Sequence, residues 1–502
     1  MAGGSPYGIT EFMFTLCLAQ TSKSSKALLF DGDLHQIACA EREVTQIYPQ
    51  PGWVEVDAME LWASTRATMA EVLARSNVKT EAIFGLAITN QRETFVVWDR
   101  SNGRPIHNAI TWECMRAVEV CDRLQPTLGG HVRDTTGLRL DPHFPGPKLA
   151  ALLDAVEGAR HRADLGQLLF GTVDTWLLWK LTDGQVHATD FTNASRTMML
   201  NIHDMTWDDH VLAALGVPRG MLPSIHASAS VFGHANLGGA GGLVPIASVV
   251  GDQQAALFGH ECTQPGQLKN TFSRGSFLLM NTGKDAVHST HGLLTTIVCD
   301  ADGGPCYGLE GIVLTAGGAV QWLKEGLGIV QSEEEVYEVA ATVESAEGVY
   351  VVPALSGMGA PHWVSQARGT VVGLTRGSNR AHVARATLEG IAFQTMDVVD
   401  ALRADTGLPL SEIAVDCIEE ESAVLLRFQA DILNAKIIHR RGASIAAQGA
   451  AALAAKTLKW NPNRGTPEFT AYVPTITAKR RSDLQNGWRR AVRCARSWAD
   501  DE

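Results

Sequence analysis

The stretch Gly251-Asp252-Gln253-Gln254-Ala255-Ala256-Leu257-Phe258-Gly259 decides how this chain is read. An Asp sits between a Gly and two Gln and leads into a small, apolar helix start. That arrangement places a carboxylate on a tight turn, where it can act as general base to a hydroxyl within hydrogen-bond reach. A Gly-Asp pair alone is commonly just a turn. Three further stretches add weight: ITNQRET at Ile88–Thr94, ITWECMR at Ile110–Arg116 and GTVDTW at Gly171–Trp176. The apolar run Ile83–Thr89 ends in Asn90-Gln91-Arg92-Glu93, a strand whose end carries chemistry.

Working outward, 502 residues are too many for one typical core, so two large domains are expected. A hydrophobic content of 45% with 19% charged residues describes an ordinary soluble globular protein. The net charge of −12 argues against nucleic acid as a partner and favours a cytoplasmic protein. The basic clusters Lys479-Arg480-Arg481 and Arg489-Arg490 read as solvated helix ends. Nine cysteines, odd in number and without a CxxC, fit reduced thiols better than disulfides or a zinc site. The apolar stretch Phe12–Ala19 is too short to span a bilayer and lacks the basic flank of a signal peptide, so it reads as a buried strand and no membrane partner is expected.

Phe12–Ala19, Lys26–Phe30 and Leu34–Glu41 predict a β-meander. A helix is expected over Ala58–Ala74, capped by Asp57, with Ala58, Trp62, Thr65, Met69 and Val72 on its buried stripe. The second half repeats the idea. Leu268–Phe272 and Ser276–Met280 flank the turn Ser273-Arg274-Gly275, and a helix opens at Ala319–Glu325. A long helix over Arg380–Arg403 has Ser378 or Asn379 as its N-cap. The tail is helical at Ser482–Ala499, and the domain boundary is placed near Gly259–Pro265.

Taken together, these motifs resemble the glycerol kinases of the FGGY carbohydrate kinase family, from about Glu43 to about Ala455. The segment Gly369–Glu389 fits the second signature of that family throughout. The resemblance implies an α/β fold of two actin-like (ribonuclease H-like) ATPase domains around a central cleft, over residues 1–259 and 260–502. It implies transfer of phosphate from ATP, with Mg²⁺, to glycerol. Arg92, Glu93, Trp112, Gln253 and Phe277 would hold the triol, and Asp252 would be the general base. Polar groups at fixed places plus apolar walls suit an uncharged triol. Taken singly, Arg92–Glu93 is compatible with a surface ion pair, Trp112 with plain core and Phe277 with an ordinary strand residue. The family's glycerol-contacting Tyr is His143 here, within Pro142–Lys148. An imidazole titrates near neutrality, so weaker or pH-dependent glycerol binding is expected.

The nucleotide side departs further from the family. The first phosphate loop of the family corresponds to Leu18–Lys26, where Ala19 replaces the Mg²⁺-associated Asp, Thr21 a Gly, Lys23 the second Thr and Lys26 an Arg, with Ser22 at the first Thr and Ser24 retained. The second loop is Ser273-Arg274-Gly275 in place of Gly-Thr-Gly. The adenosine loop has Cys417 and Ile418 where the family has two glycines, followed by Glu419-Glu420-Glu421. Gly317 and Gln321 remain. Lys23 and Arg274 are cations able to offset phosphate charge. The run Gly241–Pro245 lacks the Arg of a family anion site, so that form of control is not expected. Impaired catalysis, in a paralogue that binds glycerol without efficient turnover, is therefore the alternative to an active kinase. A kinase of another polyol is a third reading, supported by His143 alone. A homo-oligomer is compatible with the sequence, and no protein metal site is expected.

Overall fold

The structure is a computed structural model. It describes residues 13–237, 242–416, 422–440, 444–463 and 468–498. The chain divides into two compact units. The first comprises Met1–Thr263, Thr296–Tyr307 and Ala443–Thr466, and the second Gln264–Thr295, Gly308–Gly442 and Pro467–Glu502. The chain thus returns to the first unit twice, and residues 443–466, assigned above to the second half, belong to the first.

Six strands form the main sheet of the first unit: β1 (Phe14–Gln20), β2 (Ser24–Phe30), β3 (Gln36–Glu43), β4 (Ile83–Asn90), β5 (Gly233–Asn236) and β6 (Leu243–Gly251). Their order is β5-β6-β4-β1-β2-β3. β1, β2 and β3 make the antiparallel meander read from the sequence, and β4 and β6 add parallel strands beside β1. Strands covered on both faces read as near-continuous apolar runs, and Leu16–Leu18, Leu86–Ile88 and Val249–Val250 are fully buried. The register sets Gln20, Asn90 and Gly251 side by side, so three segments leave the sheet at one edge. A five-stranded sheet including Phe95–Asp99 and Leu168–Thr172 completes the β structure around the site.

Helix α1 (Ala58–Ser76) begins at Asp57, whose side chain accepts the Met59 N–H, as expected of an N-cap. Leu61, Thr65, Met69 and Val72 are buried, whereas Trp62 is only half-buried because Leu61 takes its place on the inner stripe. The short α2 (Phe191–Ala194) and α3 (Asp252–Gly259) follow in the same unit.

A second large sheet, most of it in the second unit, is made of β7 (Leu268–Phe272), β8 (Ser276–Gly283), β9 (Leu294–Cys299), β10 (Pro305–Val313), β11 (Glu412–Asp416), β12 (Lys436–Arg440) and β13 (Phe469–Tyr472). Their order is β9-β10-β8-β7-β11-β12-β13. An antiparallel β7–β8 hairpin followed by parallel β11 and β12 repeats the plan of the first sheet. α4 (Gly317–Glu325) starts against the β7–β8 turn, with Gly317 N–H donating to Ser273 O at 3.0 Å. A Cβ on Gly317 would lie 2.6 Å from that same oxygen, so glycine is required there. α5 (Arg380–Thr406) starts at Asn379, with His382 completing a capping box.

Back in the first unit, α6 (Ile445–Thr457) packs on α3 with almost no space between the backbones. A Cβ on Gly449 would meet Ala255 O at 2.0 Å, and one on Gly259 would meet Ile445 O at 2.3 Å. The last helix, α7 (Ala478–Ser497), lies in the second unit.

Candidate active site

The acceptor residues gather where β4 and β6 end. After Asn90 the chain turns through Gln91, Arg92 and Glu93, and Glu93 adopts a left-handed backbone (φ 64°), uncommon for a residue with a Cβ. After Gly251, α3 opens directly with Asp252. A Cβ on Gly251 would lie 3.0 Å from both Cγ and Cδ of Arg92, so the bare backbone lets Arg92 lie across it. Arg92 Nε is 3.5 Å from Asp252 Oδ1 and 3.9 Å from Glu93 Oε1, and its Nη1 donates to Gln254 Oε1 at 3.4 Å. The Arg92 and Glu93 side chains are 3% and 5% exposed, so they are not a surface ion pair. The Asp252 side chain is 37% exposed, leaving an open carboxylate beside a buried cation. The Gln253 N–H donates to Asp252 Oδ1 at 2.7 Å, which orients that oxygen.

Trp112 and His143 stand beside these charges. The two rings meet edge-on with centroids 5.5 Å apart, and His143 Nε2 is 3.9 Å from Glu93 Oε2. The Trp112 indole N–H donates to Ser22 Oγ at 2.8 Å, and its backbone N–H to Thr94 Oγ1 at 3.2 Å. Burial pushes the His143 imidazole down to about 4, against the upward pull of Glu93. The ring is therefore neutral at physiological pH, so a titration of His143 itself is not the expected source of pH-dependent binding near neutrality. Gln253 is buried in the first turn of α3. Phe277 lies on β8 of the second unit.

Two buried cations were missed by the sequence reading. Arg196, fully buried, donates from Nε to Glu93 Oε1 at 2.7 Å and lies over the Phe144 ring. Burial alone would raise the Glu93 pKa, but the charges of Arg92 and Arg196 outweigh it and hold the carboxyl near about 2. Lys148 closes the run that carries His143. Its Nζ donates to Thr111 O at 2.8 Å and lies 3.4 Å from Trp112 O, so it ties down the backbone of the indole wall. Burial lowers its pKa to about 7. The spacing of polar residues along the chain gives no sign of Arg196. For Lys148 the signal was its place at the end of the Pro142–Lys148 run.

The phosphate side has a different character. In the β1–β2 turn, Thr21 Oγ1 accepts the backbone N–H of Ser24 at 3.0 Å and of Lys23 at 3.3 Å. Two donors of the turn are thus satisfied from within. Ser22 Oγ takes the indole N–H, Ser24 is buried, Lys23 is exposed, and Lys26 pairs with Glu41 at 3.1 Å across β2 and β3. Ala19, on β1, has no side-chain oxygen to offer a hard cation, so the residue at that position does not fit the carboxylate role toward magnesium. Among the described residues no group of three or more His, Cys, Asp or Glu could hold a metal ion. In the second unit Arg274 is exposed at the β7–β8 turn, and its carbonyl accepts the Ala316 and Gly318 N–H groups. Gln321 Nε2 donates to Glu325 Oε2 at 3.0 Å. Cys417, with residues 418–421, and Gly241 lie outside the described residues. The described cysteines are free thiols. Among the described residues no helix is long and apolar enough to cross a membrane.

Comparison with known proteins gives the family. The N-terminal domain model of the FGGY family of carbohydrate kinases matches residues 14–259, and its C-terminal domain model matches residues 273–458. The chain is 46% identical over 500 residues to a glycerol kinase of Vibrio campbellii, covering 98% of this chain and 99% of the relative. It is 47% identical over 504 residues to a glycerol kinase of Pasteurella multocida, covering 98% and 100%. Among solved structures, a Plasmodium falciparum glycerol kinase with ADP is similar at a TM-score of 0.88 and 31% identity, covering 96% of this chain and 98% of that one. A xylulose kinase from Lactobacillus acidophilus, at 20% identity and a TM-score of 0.85, shares the fold over 97% of this chain and 98% of its own.

Proposed function

Because this chain belongs to the FGGY family of carbohydrate kinases, with the family's actin-like α/β fold, we propose that it transfers the terminal phosphoryl group of ATP to glycerol, giving sn-glycerol 3-phosphate and ADP. The observation that carries this reading is the open carboxylate of Asp252, 3.5 Å from the Nε of buried Arg92, which also lies 3.9 Å from ionised Glu93. A triol offers hydroxyls that both donate and accept. Arg92 donates to one oxygen, Glu93 accepts from a neighbouring hydroxyl, and the Trp112 ring covers the carbon chain. Neutral His143 adds a ring nitrogen, in the role of the family's tyrosine. Gln253 and Phe277 are assigned to the same substrate. Asp252 takes the proton of the attacking hydroxyl as its oxygen bonds to phosphorus and the bond to the β-phosphate oxygen breaks. The negative charge then leaves on ADP. Since Ala19 gives magnesium no carboxylate, this chain's cations, Lys23 among them, are assigned a share of the phosphate charge. A coupled assay of glycerol 3-phosphate formation tests the proposal, and turnover that survives Asp252→Asn unchanged overturns it.

A second reading is favoured by the Thr21 hydroxyl, which occupies turn N–H groups that a phosphate would use. On this reading the chain binds glycerol but turns over ATP poorly. Calorimetry with glycerol and with ATP separates the two: glycerol binding without nucleotide binding supports the second reading, and robust turnover rejects it.

A further inference from the structure

A set of fully buried polar side chains beneath the acceptor site has no part in the chemistry above. Asp190 ends a short strand and caps α2. Its Oδ2 accepts the Thr192 hydroxyl at 2.6 Å, the Thr192 N–H at 3.0 Å and the Ser228 hydroxyl at 2.6 Å. Its Oδ1 accepts the Asn193 backbone N–H at 2.9 Å and side-chain Nδ2 at 2.8 Å. Thr192 Oγ1 in turn accepts the Gly251 N–H at 2.8 Å, and Asn193 Oδ1 accepts from Asn90 Nδ2 at 2.9 Å. Asn90, Asp190, Thr192 and Asn193 are all 0% exposed.

The two outer partners matter most. Gly251 ends β6, one residue before Asp252, and Asn90 ends β4, two residues before Arg92. One buried carboxylate therefore grips, through two adjacent residues of α2, the ends of both strands that carry the reacting groups. The grip is directional. A hydroxyl has one hydrogen, and Thr192 gives it to Asp190, so only a lone pair is left for Gly251. An apolar side chain of the same shape, such as Val, could not fill this role, because the side chain must donate on one side and accept on the other.

We propose that Thr192, oriented by Asp190, is a positioning residue for Asp252. Its hydroxyl fixes the Gly251 N–H and so the carboxylate's place against Arg92, while Asn193 fixes the β4 end. This rests on the acceptor-site reading given above.

A double-mutant cycle read in glycerol affinity by calorimetry tests it. Thr192→Val keeps the shape and removes the hydroxyl, Thr192→Ser keeps the hydroxyl, and each is made in the wild-type and the Asp252→Asn background. Small displacements of positioned groups have large effects, so Thr192→Val is expected to weaken glycerol binding about tenfold and Thr192→Ser by less than about threefold. The Val effect is expected to vanish in the Asp252→Asn background, since the group it acts through is already gone. An equal Val effect in both backgrounds, or none in the wild type, overturns the proposal. If Thr192→Val does not fold, Ser228→Ala removes a different donor to Asp190 and should show the same dependence on Asp252 at smaller size; its absence is equally fatal. A wild-type chain that binds no glycerol at all sinks the acceptor-site reading itself, and this proposal with it. A wild type that binds well beside a harmless Thr192→Val sinks only the positioning role.

Discussion

Two neighbouring exits from one sheet edge have gone different ways. Gln20, Asn90 and Gly251 are register partners, yet the segments leaving Asn90 and Gly251 differ in kind from the turn leaving Gln20. Beyond β4 and β6, buried cations hold two carboxylates in fixed places, one of them open to solvent. Beyond β1, the turn closes on itself through the Thr21 hydroxyl, and no carboxylate stands at position 19. The difference teaches that oriented charge survives where the surrounding core demands it. Removing Glu93 would take from buried Arg92 and Arg196 the counter-charge they share, whereas an exposed turn can exchange Gly for Thr at little cost to the core.

The strongest way to break this contrast is Asp252→Asn. Loss of a general base should lower glycerol 3-phosphate formation on the order of 10²–10⁴-fold, measured by coupled assay. Glu93→Gln comes next. It leaves Arg92 and Arg196 buried without their shared counter-charge, and chemical denaturation should show a loss of about 3–5 kcal/mol. The same residue gives an acid signature. Its folded pKa of about 2 lies below the ordinary 4.5, so the unfolded chain binds the extra proton between those values. The Glu93 contribution is therefore complete above about pH 4.5 and is lost as pH falls toward about 2, and Glu93→Gln should flatten stability against pH in that window.

On the other side, Thr21→Gly should free the Lys23 and Ser24 N–H groups and tighten ATP binding about tenfold, whereas Thr21→Ser, which keeps the hydroxyl, should gain nothing. Calorimetry decides, and a gain in both variants would show that bulk, not the hydroxyl, closes the turn. Trp112→Phe keeps an aromatic wall but drops the bond to Ser22, one of the links between the two regions beside those of Gln91, and should cost about 1 kcal/mol of stability. The smallest expected effect is none: His143→Asn should leave the shape of glycerol affinity against pH unchanged from about pH 6 to about pH 8, because burial already holds His143 neutral there and any step in that window belongs to Lys148, lowered to about 7. A step that disappears with that exchange would show that the imidazole is open to water.

The strand ends were legible because each is an apolar run cut off by polar residues, as in Ile88–Glu93 and Val249–Gln253. Asp57 and Asn379 were legible as caps for the same kind of local reason. Arg196, by contrast, reaches Glu93 from 103 positions away, and nothing near it in sequence marks it as buried. The network around Asp190 is hidden in the same way, since Thr, Asn and Ser look alike whether they face solvent or bridge two strands. Placing α6 in the first unit was within reach. Its run of alanines has no polar face, which suits a helix covered on all sides. The neutral state of His143 was not, because a pKa depends on surroundings that the chain order does not show.

The tight seam between Gly259 of α3 and Gly449 of α6 has a practical corollary. A fragment ending at Thr263 would lack α6 and present a strip of bare peptide carbonyls and alanine methyls to water beneath the helix that starts with Asp252. Because the tracing passes between the units five times, no single cut liberates either one whole. Dissection of this protein therefore calls for point substitutions or for co-expressed pieces, since a clean half does not exist to be purified.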